Sequence, residues 1–195
     1  MTDFNKYREL LQKDRSVRRF EGNREVEEEA LCKLVELTKY CASGRNLQPL
    51  KYRIVFSRNE REEIFPLMAW AGYLTDWPGP EDGERPTGYL IQCLDTRLTR
   101  NCLCDDGIQL QAITLGATAM GLGACIIKSF KVDEVKKKLD LPEWAEPLYI
   151  IALGYPKEEI RIETTDGSLD ADIKYYRTQD GIHHVPKRPM KELLL

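Results

Sequence analysis

The sequence predicts a mixed fold, α+β or α/β, around one sheet. Helix-like and strand-like segments alternate along the chain instead of separating into blocks. No repeat, low-complexity tract or shift of composition divides the 195 residues, a length that suits one domain over 1–195 with a full core. Residues 105–120 read as a helix apolar on nearly every side, which a layered fold buries.

The elements follow in order. Residues 3–12 form a helix with Phe4, Tyr7, Leu10 and Leu11 on one face and Thr2 or Asp3 as N-cap. A helix over 26–41 takes its stripe from Ala30, Leu31, Leu34, Val35 and Thr38. Glu27, Glu28 and Glu29 suit its positive end, and it stops at Ala42–Gly44. Tyr52–Ser57 alternates and is β-rich, so it reads as a strand. Residues 60–73 look helical. Leu74–Thr87 carries Pro78, Gly79, Pro80, Gly83 and Pro86 and reads as a long loop. Gly88–Asp95 is the next strand. In the 105–120 helix, Ile108, Leu110, Ile113 and Leu115 surround the axis. Ala112, Gly116, Ala117 and Ala119 let another helix come close, and Gly121 and Gly123 end it. Ala124–Ile127 and Leu148–Leu153 are buried strands separated by a helix over Val132–Leu139. The last forty residues read as polar and irregular, with an amphipathic tail.

Composition excludes several classes. Apolar content is 42%, and no run of about 18 apolar residues exists, so a membrane helix is not expected. The N-terminus lacks the apolar stretch of a signal peptide, and the expected location is the cytoplasm. A net charge of −3 argues against a general nucleic-acid binder. Basic residues still cluster at Arg15, Arg18 and Arg19 and at Lys187 and Arg188. Six cysteines, at 32, 41, 93, 102, 104 and 125, are expected to be reduced thiols. The Cys102-x-Cys104 pair has no second pair at zinc spacing, so no metal is expected. His183 and His184 are the only histidines and supply no hydrolytic base-and-nucleophile set. Gly121-Leu-Gly123 follows a helix and lacks a third glycine, which excludes a dinucleotide fingerprint; Walker, G-x-S-x-G and H-E-x-x-H motifs are absent. Any catalysis should come from a bound cofactor.

Three segments, in order, resemble the nitroreductase family. Arg15-Ser16-Val17-Arg18-Arg19-Phe20 is similar to its R-R-S-x-R-x-F signature. Ala42-Ser43-Gly44-Arg45-Asn46-Leu47-Gln48-Pro49 is similar to P-S-x-x-N-x-Q-P. Leu115–Gly123, Leu139–Pro142 and Ala152-Leu153-Gly154-Tyr155-Pro156 are similar to the family's small-residue helix, L-x-L-P turn and L-G-Y-P strand end. Val185-Pro186-Lys187-Arg188-Pro189 looks like its basic C-terminal segment.

The resemblance implies a three-layer α+β fold with a central mixed or antiparallel sheet, an intertwined homodimer and an FMN site at the interface. It implies NADH or NADPH as donor and ping-pong hydride transfer to a nitroaromatic, quinone or similar small acceptor. Arg15, Ser16, Arg18, Lys187 and Arg188 would meet the FMN phosphate or pyrimidine edge, where arginine gives fixed-charge bidentate contacts. Arg18 would sit near N1, with Arg19 pointing away. Ser43, Arg45, Asn46 and Gln48 would reach the partner subunit's flavin. Ile127, Lys128 and Ser129 would face the N5 region. Residues 66–87 would form a lid and 157–195 a C-terminal extension. Trp70, Tyr73 and Trp77 read equally as core or as part of that lid. Asp14, Ala42, Lys128 and Ser129 depart from the family pattern. Asp14 and Lys128 keep a second reading open: a flavin-binding redox sensor with little turnover.

Overall fold

The computed structural model describes residues 3–195; the alternative N-cap Thr2 lies outside them. Four antiparallel strands form the central sheet in the order β1 (Leu50–Val55), β2 (Gly88–Asp95), β4 (Ala145–Gly154), β3 (Gly123–Ile127). Every residue of β2 is buried, as a central strand covered on both faces requires. One face packs on α2 (Glu28–Leu37) and α4 (Asp105–Ala119) through Leu31, Leu34, Leu110, Ile113 and Ala117. The other packs on α3 (Arg58–Ile64) and α5 (Val132–Lys138) through Ile64, Val135, Met68 and Trp70. The result is three layers, helix–sheet–helix, with an antiparallel sheet.

Gly116 explains how α2 and α4 approach. A Cβ there would lie 2.4 Å from Leu37 Cδ1 and 3.0 Å from Leu34 Cδ2. Gly116→Val is therefore expected to destabilise the chain by roughly 1–3 kcal/mol through overpacking, read as a lower urea midpoint. Gly121 stops α4 with φ at +77°, a conformation glycine adopts without strain.

Several boundaries differ from the sequence reading. The 26–41 helix is α2 followed by a 3-10 turn at Thr38–Tyr40. The strand expected at Tyr52–Ser57 is Leu50–Val55, since Ser57 caps α3 by accepting from Glu60 N. The helix expected over 60–73 ends at Ile64 and tightens into a 3-10 turn at Phe65–Leu67. Pro66 has no amide proton to continue the ladder. The strand at 148–153 begins at Ala145. The reading of α4 as buried all round is corrected: Ile108 and Met120 are 38% and 42% exposed in the protomer. Helix α1 (Phe4–Lys13), capped by Asp3, buries none of its residues.

The largest correction is the C-terminal region. It is not irregular: β5 (Ile160–Thr164), β7 (His183–Lys187) and β6 (Tyr176–Arg177) form a second sheet, parallel between β5 and β7 and antiparallel between β7 and β6. Its polar composition hid the strands, because most of their side chains remain partly exposed.

Glu84 ties this region to the N-terminal segment. Its carboxylate accepts from Arg19 Nε and Nη2 at 2.6 and 2.5 Å and meets Lys157 Nζ at 3.0 Å. The Arg19 hydrogen bonds, against a burial penalty and helped by Lys157, bring its carboxyl down from 4.5 to about 2. A depressed pKa stabilises the fold above the ordinary value, and that stabilisation is lost as pH falls from about 4.5 towards 2. Glu84→Gln is expected to lower stability at pH 7 and to flatten this acid limb in denaturation curves.

Candidate functional site

The segment after α1 is pinned to the edge of the central sheet. Val17 N–H donates to Ala124 O at 2.9 Å, and Ser16 pairs in parallel with Ala124 of β3. Val17 and Phe20 are buried against glycines. A Cβ at Gly123 would meet Val17 Cγ2 at 2.7 Å, and one at Gly154 would meet Phe20 Cδ1 at 2.8 Å. With these apolar side chains turned inward, Arg15 and Ser16 border open clefts. One, of 180 Å³, is lined by Asp14, Arg15, Ser16, Gln111, Thr114, Ala124 and Ile126. Arg15 also lines a cleft of 340 Å³ with Gln12, Lys13, Thr118, Gly121 and Glu158.

Arg15 Nη2 donates to Leu11 O at 2.9 Å, while its Nε is buried without a protein partner. Asp14, which stands where the family has a basic residue, is buried and accepts from Gln111 Nε2 at 2.6 Å and Thr114 Oγ1 at 2.8 Å. Its role here is to fasten the end of α1 to α4. Among the described residues its charge is answered by these neutral donors and by no ion pair.

The 43–48 loop is built on α4. Ser43 Oγ donates to Asp105 Oδ2 at 2.6 Å, Gly44 N–H donates to Asp105 Oδ1 at 2.8 Å, and Gln48 N–H donates to Ser43 Oγ at 2.9 Å. Asp105 is 1% exposed. Sequence reasoning missed it; the available signal was a carboxylate opening the first turn of a core helix, where side-chain caps and the helix dipole place one. Arg45, Asn46 and Gln48 are exposed with φ of 54°, 55° and 52°. Left-handed backbone is unfavourable for arginine and glutamine, and such strain gathers at functional loops.

Beyond Ala124 the outer edge of β3 has no strand partner among the described residues, and Ile126 is 40% exposed. Ile127 is buried at the strand end, and Lys128 and Ser129 are exposed after it. Lys128 Nζ donates to Leu148 O at 3.0 Å and lies over the Tyr149 ring. Ser129 O accepts from Ala69 N, joining this turn to the 66–87 loop. Trp70 is buried in the core, Trp77 is partly buried against it, and Tyr73 is exposed.

Arg18 leaves the segment on the side of the C-terminal sheet. Its Nη1 donates to Ser16 O at 3.2 Å and to His183 Nε2 at 3.1 Å, and its guanidinium lies 4.6 Å from the Tyr175 ring centroid. Glu158, also missed by sequence reasoning, accepts from the Arg18 backbone N–H and from Arg177 Nη2. Lys187 is exposed at the far end of β7, opposite Thr164, and Arg188 Nη1 donates to Ser168 O at 3.4 Å. The structure thus brings Arg15 and Ser16 together on a cleft at the edge of β3, while the Arg18 side chain turns to the C-terminal sheet. The 43–48 loop hangs from α4, and Lys187 and Arg188 stand apart on the second sheet.

The donor set fits FMN. Arg15, whose guanidinium has donors to spare, and the exposed Ser16 line an open cleft together, which is chemistry for an oxyanion such as a phosphate; the Asp14 carboxylate on the same cleft is taken up by Gln111 and Thr114. The unpaired edge of β3 leads from there towards the exposed Lys128–Ser129 turn.

The fold is a three-layer α+β protein with an arginine and a serine on a cleft at a sheet edge, a class able to hold an anionic cofactor. Comparison with known proteins gives the family. The nitroreductase family model matches residues 11–76 and 100–155, and the chain belongs to the nitroreductase family, whose members are FMN-using, NAD(P)H-dependent oxidoreductases. A curated relative from Methanothermobacter thermautotrophicus, named "Putative NADH dehydrogenase/NAD(P)H nitroreductase", is 27% identical over 157 residues, 77% of each chain. A solved structure of the same printed name from Parabacteroides distasonis is 26% identical. It superposes with a TM-score of 0.67 over 80% of this chain and 89% of that one. The NADPH:FMN oxidoreductase of Vibrio harveyi, solved with NAD⁺, is similar in fold, with a TM-score of 0.61 at 24% identity over 77% of this chain and 68% of that one. No helix among the described residues is long and apolar enough to cross a membrane.

Proposed function

We propose that this chain is a cytoplasmic, homodimeric oxidoreductase that takes hydride from NADH or NADPH and passes it to a nitroaromatic, quinone or similar electron-poor acceptor, donor and acceptor using one site in turn. The observation that carries this reading is the Arg15–Ser16–Arg18 segment clamped to the free edge of β3, with Arg15 and Ser16 on one open cleft. FMN, when bound, supplies the two-electron chemistry.

The chain's own residues supply position and charge. Arg15 and Ser16 hold the phosphate end, while Lys187 and Arg188 stand apart from it on the second sheet of the protomer. Arg18 places a fixed cation at the pyrimidine edge, which favours a reduced, anionic ligand. The backbone of Ile127, Lys128 and Ser129 orients the ring. Ser43, Arg45, Asn46 and Gln48 complete the partner subunit's site. The 66–87 loop, including Tyr73 and Trp77, covers the acceptor and excludes water. The protomer's exposed apolar surfaces support the dimer: Phe4 at 72% and Tyr7 at 46% on α1, with Ile108 on α4 and Met120 just after it.

Initial-rate kinetics with varied donor and acceptor test this. Parallel double-reciprocal lines for NADH or NADPH against a quinone or nitroaromatic are expected. Turnover with none of these acceptors would contradict the proposal.

A further inference from the structure

We propose that His183 is a positioning residue for the flavin site, holding the Arg18 guanidinium through a neutral imidazole so that its full positive charge stays available to an anionic ligand. This rests on the FMN reading above. His183 is 0% exposed and neither nitrogen reaches solvent, yet one meets Arg18: Nη1 donates to Nε2 at 3.1 Å. Arginine can only donate, so Nε2 carries the lone pair and Nδ1 the proton. Nδ1 has no partner among the described residues. A buried orphan donor is costly, and here it accompanies a tautomer that Arg18 dictates.

The surroundings keep the ring neutral. Burial, and then Arg18, Arg177 and His184, bring its pKa down from 6.5 to about 4. Tyr175 completes the cradle, with the Arg18 guanidinium 4.6 Å and the His183 ring 5.3 Å from its ring centroid. Tyr73 of the 66–87 loop packs on Tyr175 with ring centroids 4.9 Å apart and planes tilted by 53°, so the loop proposed as a lid rests on the same cluster. No carboxylate pairs with the Arg18 guanidinium among the described residues; Glu158 takes the Arg18 backbone N–H and the Arg177 side chain. An aspartate or glutamate in place of His183 would orient the arginine and cancel its charge. A neutral acceptor and an aromatic face orient it without cancelling it.

The test uses the full chain with His183→Leu, His183→Gln, Arg18→Gln and the double variant His183→Leu/Arg18→Gln. Glutamine can present an acceptor oxygen near the place of Nε2. His183→Leu is expected to weaken FMN binding roughly tenfold, the loss of one hydrogen bond to a charged group, and to lower the flavin midpoint potential. His183→Gln is expected to restore both. In the Arg18→Gln background His183→Leu is expected to change neither, because its effect passes through Arg18. Nitrogen NMR of the wild-type imidazole is expected to show the Nδ1–H tautomer at pH 7. An Nε2–H tautomer, failure of glutamine to restore binding, or a full His183→Leu effect without Arg18 would overturn the inference while leaving the FMN reading intact. A wild-type chain that binds no FMN would overturn both.

Discussion

Replacing Arg18 with glutamine is expected to lower the flavin midpoint potential by some tens of millivolts and to slow reduction by NAD(P)H. Reduction places negative charge near the pyrimidine edge, and Arg18 is the fixed cation assigned there. A hydrogen bond to a charged group contributes roughly 1.5–3 kcal/mol, and for a two-electron couple about 30 mV corresponds to about 1.4 kcal/mol. The shift should therefore fall at roughly 30–60 mV. The fold should survive, since the Arg18 side chain is half-buried and takes part in no ion pair among the described residues. Arg19→Gln is the control. Arg19 is spent on Glu84 through two hydrogen bonds, so its loss should cost stability and leave the potential unchanged. Spectroelectrochemical titration decides the matter. A larger shift for Arg19→Gln, or none for Arg18→Gln, would contradict the assignment.

Placing a charge on the open face of α4 is expected to dissociate the protein and to release its flavin. The exposed side chain of Ile108 lies on a helix whose opposite face, Leu110, Ile113 and Ala117, fills the core. A core-like interface above roughly 2,000 Å² would cover such a face. Ile108→Glu would bury an unpaired carboxylate there, at several kcal/mol, enough for a loss of dimer affinity above roughly a hundredfold. Flavin should leave with the partner, because the 43–48 loop is proposed to serve the partner's site. Light scattering and absorbance on one sample check both effects. A wild-type chain that is monomeric at micromolar concentration, or an Ile108→Glu dimer with full flavin, would refute this.

What the sequence disclosed depended on whether a residue's partner was local. Strand β2 was legible to the residue because it is apolar apart from Gln92 and Asp95 and bounded by Pro86 and Thr96. The core helix α4 was legible for the same reason, although its open face was not, since an apolar surface looks alike in sequence whether a protomer or a partner covers it. Pro66 should have ended the 60–73 helix early, and the apolar run after it concealed the break. The C-terminal sheet was missed because His183, His184 and Tyr176 are bonded across it to Glu163 and Arg18, and such polar pairing leaves no hydrophobic period. Within the site, the motif residues Arg15, Ser16 and Arg18 stand out as a basic run. Glu158 and His183, which support Arg18, are distant in sequence and carried no motif of their own, and the same holds for Asp105 under the 43–48 loop and Glu84 under Arg19. Asp14 read as a departure; its two bonds to α4 give it a structural role that a one-dimensional comparison cannot show.

The most direct test of the account is the visible spectrum of the purified full chain, recorded before and after anaerobic addition of NADH or NADPH. The account predicts a yellow protein with the two visible bands of bound flavin, FMN as the only flavin released on denaturation, and bleaching by at least one of the two nucleotides. A colourless chain that gains no bound flavin when titrated with FMN would contradict it.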